Sequence, residues 1–135
     1  MDIIEKISLN NIDYIIYIGK VDFDLLLEMF ILPEHIISEN INNIKNWDIL
    51  SKCQILSEEF INKYKELLNM DLISKYQYMT HDFIIKNKKI LNLKKLLENQ
   101  KIIFDINLAR RLCIDINPQN MLKINNYVND IKMIF

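Results

Sequence analysis

Trp47-Asp48-Ile49-Leu50-Ser51-Lys52-Cys53-Gln54-Ile55-Leu56-Ser57-Glu58-Glu59-Phe60-Ile61 is answered eight residues later by Met70-Asp71-Leu72-Ile73-Ser74-Lys75-Tyr76-Gln77-Tyr78-Met79-Thr80-His81-Asp82-Phe83-Ile84. The steps from 47 to 70 and from 61 to 84 are both 23. Asp, Ser, Lys, Gln, Phe and Ile recur at identical positions, apolar residues replace apolar ones, and Thr80 answers Ser57. A period of this size describes one supersecondary unit, which cannot bury its apolar face alone and must stack on copies of itself.

The repeat extends outward in both directions. Upstream, Phe23-Asp24-Leu25-Leu26 matches Trp47-Asp48-Ile49-Leu50 and Ile31-Leu32-Pro33-Glu34-His35-Ile36-Ile37 matches the segment from Ile55 to Ile61, both at a step of 24. Pro33 stands in the Ser57 slot, where no intrahelical donor is needed. Downstream, Asn92-Leu93, Leu96, Gln100 and Ile102 follow Asn69-Met70, Ile73, Gln77 and Met79 at a step of 23.

Each unit reads as two short helices. Trp47, Leu50, Cys53 and Leu56 recur every third residue, so the first helix should carry one apolar stripe and stop near Leu56. Ser57 should cap the second, with Glu58 and Glu59 in its first turn, where the positive end of the helix dipole favours acids. Phe60, Ile61, Tyr64, Leu67 and Leu68 should form its buried face, and Asn69 should close it in a left-handed C-cap. In the next unit Thr80 should be the cap, with Phe83, Ile84, Ile90 and Leu91 inward. Asp105 should cap a helix over residues 106–112, and Asn117-Pro118 should start a final one.

The pattern Trp47-Asp48-x-x-Ser51-x-x-Gln54-x-Leu56-Ser57-Glu58-x-Phe60-Ile61 resembles the short "W-D-x-I-S-x-x-Q-x-L-S-E-x-F-I" repeats of proteins from giant DNA viruses, phages and AT-rich bacteria. The resemblance covers about residues 23–103. It implies a helical-repeat array without a general catalytic activity, and a viral or phage-encoded inhibitor of a host defence protein as the kind of molecule that carries it. Trp47 gives way to Phe23, Met70 and Leu93 elsewhere, so the copies have diverged.

Composition agrees with helices. The 135 residues are half apolar, with one Gly and two Pro, and β-sandwiches and barrels need far more turn residues. A chain of this length buries about two thirds of its unfolded surface as one domain. Residues 12–21, rich in Ile and Tyr, admit a strand as well as a helix; a helix is expected, with a small N-terminal β-hairpin as the alternative. No apolar run reaches membrane-spanning length and no secretory leader pattern opens the sequence, so a soluble, cytoplasmic protein is expected, in the host cell if virally encoded. Cys53 and Cys113 lie 60 positions apart without a Cys-x-x-Cys pattern, which predicts reduced thiols, with Cys53 buried in the slot that Tyr76 fills.

Net charge is −1, but its distribution is uneven. Residues 1–60 hold eleven acids against four lysines, net −7, and residues 61–135 hold thirteen bases against seven acids, net +6. In a stack, sequence position becomes spatial position, so the halves should become an acidic and a basic surface. Asp22, Asp24, Glu28, Glu34, Glu58 and Glu59 are the acidic candidates. Lys86, Lys88, Lys89, Lys94, Lys95, Lys101, Arg110 and Arg111 are the basic ones.

Chemistry is poorly represented. His35 and His81 sit in adjacent first-turn slots beside acids and read as solvated residues rather than metal ligands. The sole glycine, Gly19, rules out a P-loop or dinucleotide fingerprint. No nucleophile, base and orienting group can be named together, so neither catalysis nor a cofactor or metal is expected. Gln54, Gln77 and Gln100 recur every 23 residues, with Ser51 and Ser74 one turn before the first two, and read as a hydrogen-bonded ladder between units.

The expectation is therefore an all-α, α-solenoid-like array of short helix pairs in a single domain over residues 1–135. Residues 1–22 form an atypical N-terminal cap, 23–103 about three and a half repeats, and 104–135 a helical C-terminal cap. The expected function is non-enzymatic protein binding, with a nucleic-acid-handling host enzyme as the partner; nucleic-acid binding by the basic half is the alternative, and no membrane is involved.

Overall fold

The computed structural model describes residues 22–114. The expected N-terminal helix or hairpin and the final helix after Pro118 lie outside those residues. Among them the chain forms eight α-helices and one 3-10 turn, and no strand: α1 Phe23–Met29, α2 Glu34–Glu39, the 3-10 turn Ile41–Asn43, α3 Trp47–Cys53, α4 Glu58–Tyr64, α5 Met70–Tyr76, α6 His81–Lys86, α7 Leu93–Leu97 and α8 Ile106–Arg111. The all-α class is as expected. The helices fall into four units of two, beginning at Asp22, Asn46, Asn69 and Asn92.

Among the described residues no helix exceeds seven residues. At about 3.6 residues per turn that is two turns or fewer, so about half of the backbone N–H groups belong to the first turn and need a partner other than an intrahelical carbonyl. Side-chain caps supply it. Asp22, Asn46, Asn69 and Asn92 accept backbone N–H groups at the starts of α1, α3, α5 and α7. Ser57, Thr80 and Asp105 do the same for α4, α6 and α8, as their positions predicted. Pro33 starts α2 without a side-chain bond.

Asn69 is thus a cap at the opposite end from the one expected. Its φ of −81° is not left-handed, and its Oδ1 accepts from Asp71 N at 3.1 Å and Leu72 N at 3.2 Å. Among the described residues the one positive φ outside glycine is at Cys113, 57°. There Cys113 N donates to Arg110 O and Ile114 N to Ala109 O, both at 3.0 Å, the paired bonds of a Schellman closure.

The first helices stack in chain order, α1 on α3 on α5 on α7. Leu26, Leu50, Ile73 and Leu96 occupy one slot in the four units and are all fully buried. A second row, Leu32, Leu56, Met79 and Ile102, is buried in the connectors between first and second helices. Ile37, Ile61, Ile84 and Ala109 close the core from the second helices, with Ile44, Leu68 and Leu91 beneath the turns that lead to the next unit.

Two boundaries differ from expectation. The first helix of unit two ends at Cys53, because Gln54 is already extended (φ −99°, ψ 158°) and Leu56 is buried from a connector rather than from a helix. The second ends at Tyr64, whose carbonyl accepts from both Leu67 N and Leu68 N in a turn that leaves Leu67 exposed. Ile90, in the equivalent turn, is exposed as well. Beyond residue 103 the alternation of helices continues: Leu108 and Ala109 of α8 are buried as Ile84 of α6 is, so α8 takes the place of a second helix in unit four.

Candidate functional site

The most distinctive residues of the repeat are spent on joining units. Gln54 is buried; its Nε2 donates to Leu27 O and Phe30 O, both at 2.6 Å, and its Oε1 accepts from Leu32 N at 2.9 Å. Gln77 repeats this one unit on, donating to Ser51 O at 3.0 Å and to Gln54 O, and accepting from Leu56 N at 3.1 Å. One amide thereby satisfies three backbone groups of the preceding unit.

Gln100 was expected as the third rung and is not. It is exposed, and Asn99 is buried in its place, donating to Ser74 O at 2.8 Å and Gln77 O at 2.9 Å. Asn is one methylene shorter, so its oxygen does not reach the preceding connector and accepts from Lys101 N at 2.8 Å.

Two further ladders were not anticipated as such. Ser51 and Ser74, both fully buried, donate to Trp47 O and Met70 O and accept from Asn69 N and Asn92 N, holding the start of the next unit. Alongside, Asp24 accepts from Lys45 N and Asn46 N, while Asp48 and Asp71 accept from the side-chain amides of Asn69 and Asn92. At the other edge the first residues of α2, α4 and α6 reach the following unit. Glu34 accepts from Ser57 Oγ at 2.6 Å, Glu58 from Thr80 N at 2.7 Å, and His81 Nε2 donates to Ile103 O at 2.8 Å. Because a carbonyl can only accept, this contact places a proton on Nε2 of His81.

Of the acidic candidates, Asp24, Glu34 and Glu58 are therefore joints as well as charges. Asp22 caps α1 and lies 3.9 Å from Lys45 Nζ, whereas Glu28 and Glu59 are exposed on helix faces. The basic candidates are spread over both edges of units three and four. Lys86, Lys88 and Lys89 occupy the exposed end of α6 and its turn, Lys94 is exposed on α7, and Lys101 lies on the connector to α8. Lys95 pairs with Glu98 at 3.6 Å and Arg111 with Asp82 at 3.2 Å, while Arg110 is exposed. Surface pairs of this kind contribute about 0–1 kcal/mol.

Counted by unit over the described residues, charge runs in one direction. Residues 22–45 carry five acids and one lysine, net −4; residues 46–68 carry four acids and three lysines, net −1. Residues 69–91 carry two acids and four lysines, net +2; residues 92–114 carry two acids and five bases, net +3.

Cys53 is half-buried and Cys113 exposed, so the burial expected for Cys53 is only partial; both are free thiols. Among the described residues no group of three or more His, Cys, Asp or Glu side chains is placed to hold a metal ion, and no helix is long and apolar enough to cross a membrane. Two hollows open where unit four departs from the repeat. One, of about 260 Å³, is lined by Lys75, Tyr76, Glu98, Gln100 and Lys101. The other, of about 390 Å³, is lined by residues 78–81 with Ile102, Ile103 and Asp105. Comparison with protein-family models, with curated proteins and with solved structures finds no match to this chain.

Proposed function

We propose that this chain is a non-enzymatic protein-binding module. The supporting observation is the one-way run of charge from −4 to +3 across four stacked units, in a chain whose recurring polar residues are occupied as joints. Graded charge along a rigid rod favours one orientation of an oppositely patterned partner and raises its encounter rate. Units one and two present Glu28, Glu39 and Glu59 to a basic groove, which fits a host enzyme that handles nucleic acid. The resemblance to viral and phage repeats adds the biological setting, inhibition of such an enzyme in a defence system.

Affinity capture from cells that naturally express the gene, run in parallel with and without nuclease treatment and over a series of salt concentrations, checks this. The expected product is a defined protein whose retention falls when Glu28 and Glu59 are changed to Lys. Recovery of nucleic acid alone, lost as salt rises, would sink it.

That outcome would support the second reading, nucleic-acid binding through the exposed Lys86, Lys88, Lys89 and Lys94. Phosphate contacts release counterions and make binding steeply salt-dependent. A gel shift at low salt, abolished when Lys88, Lys89, Lys94 and Lys95 are reversed to Glu, is its signature.

A further inference from the structure

The connectors between first and second helices carry a feature that the joints do not use. Ile31, Ile55 and Tyr78 occupy the same slot in three successive units, at steps of 24 and 23, and are 54%, 65% and 61% exposed. Their successors, Leu32, Leu56 and Met79, are buried. The two sets point to opposite sides because the connector backbone is extended from Phe30, Gln54 and Gln77 onward, and extended residues alternate sides. The Gln54 and Gln77 amides hold that backbone in place, since Leu32 N and Leu56 N both donate to them. Three large apolar side chains thus stand outward from one slot of three stacked units, and at Ile31 and Ile55 the connector beneath them is clasped by the next unit.

Beside them runs a row of carboxylates. Glu34 and Glu58 open the second helices three residues after Ile31 and Ile55, with exposed Glu59 next to them. In unit three the row ends, His81 standing in the glutamate slot. There the hollow of about 390 Å³ opens between Tyr78, His81, Ile103 and Asp105. Packed helices lie about 8–10 Å apart, so the apolar residues repeat at about that interval. A polyproline-II segment advances about 3.1 Å per residue with three residues per turn, returning the same face every ~9 Å. A β-strand, with same-face residues every ~7 Å, falls out of step within two units.

We propose that the connector edge is a docking track for an extended, polyproline-II-like segment of a partner protein. That segment carries an apolar residue at every third position, basic residues between, and a terminal large apolar side chain in the hollow beside His81. This deepens the protein-binding reading and rests on it. The match of period selects the conformation of the segment; the acids beside Ile31 and Ile55 select its charge. A fixed edge meeting a segment already extended loses little conformational freedom on binding.

The test titrates the full chain with a synthetic dodecapeptide of four Leu-Pro-Arg triplets, followed by NMR and calorimetry. Saturable binding is expected, with shifts at Ile31, Ile55 and Tyr78. Ile55→Asp and Tyr78→Asp should each weaken it at least about tenfold, a shift well outside the error of such titrations. Both residues are exposed, so the urea midpoint of each variant should stay unchanged, which separates lost docking from lost folding. Four Leu-Pro-Glu triplets and an alternating Leu-Arg dodecamer should bind at least about tenfold more weakly. Equal binding by the alternating peptide, shifts confined to the lysine-rich turn of α6, or no saturation at all would overturn the proposal. So would self-association of the chain that Ile55→Asp abolishes, because a second copy would then occupy the track. If the peptide fails while a captured natural partner is lost on reversing Glu28, the edge is wrong and the protein-binding reading stands. If capture also returns no protein, that reading falls with it.

Discussion

At Gln77, three backbone groups from the preceding unit converge on one side-chain amide. Truncation leaves the Ser51 and Gln54 carbonyls and the Leu56 N–H buried without partners, each a cost of about 1–3 kcal/mol. Gln77→Ala should therefore lower unfolding free energy by about 3 kcal/mol or more in urea titration, and Gln100→Ala, at an exposed site, by less than about 0.5 kcal/mol. Gln77→Glu should be worse than Ala at neutral pH, since a carboxylate meets two carbonyl oxygens, and should recover partly on acidification as the protonated acid regains one donor. The ladder was legible at Gln54 and Gln77 because their spacing repeats. It was misassigned at Gln100 because Asn99 offers the same chemistry one position earlier, and α7, with five residues where α3 and α5 have seven, ends early enough to set Asn99 rather than Gln100 against Ser74 and Gln77. No pattern in the sequence carries that length.

Elements of five to seven residues cannot persist alone, because helix nucleation is unfavourable and isolated helices shorter than about 12 residues are marginal in water. A peptide of residues 46–68 should accordingly show no helix by circular dichroism, whereas the full chain should. The caps are what make such short helices affordable. Ser57→Ala removes both the bond to Phe60 N and the joint to Glu34, and should cost about 1–2 kcal/mol. At the end of α8 the expectation reverses: Cys113 holds the left-handed slot that glycine usually fills, so Cys113→Gly should raise stability by about 0.5–1 kcal/mol. Ser57, Thr80 and Asp105 were readable as caps because each precedes a helical apolar face. Asn69 was placed at the wrong terminus because Asn suits both ends; the deciding feature is its position immediately before the helix that Met70 begins, with Ser51 receiving its N–H.

Across the four units of residues 22–114, sequence order and spatial order coincide, so the imbalance of charge visible along those residues survives folding as a gradient along the stack. The basic candidates are divided between the edges of units three and four. Lys101 lies on a connector and Lys86 on the opposite edge, and Lys95 and Arg111 already face acids. The sequence lists such residues together; only the alternation of helix, connector, helix and turn assigns them to edges. If the gradient guides a partner, raising ionic strength should lower the association rate constant well before it raises dissociation, and Glu59→Lys should do likewise, both measurable by surface plasmon resonance.

The clasp formed by Gln54 and Gln77 always passes in one direction: a unit's carbonyls are held by the amide of the unit that follows. The two inner units, residues 46–68 and 69–91, therefore each carry a complete plug and a complete socket, and a further copy placed between them meets the same fittings on both sides. Gene duplication in this register can change the number of units without redesigning any interface, and the rod can grow or shrink by recombination alone. A chain with residues 69–91 written twice in tandem should be longer by one unit and melt at a higher temperature than its parent, whereas the same insertion shifted by ten residues should not fold.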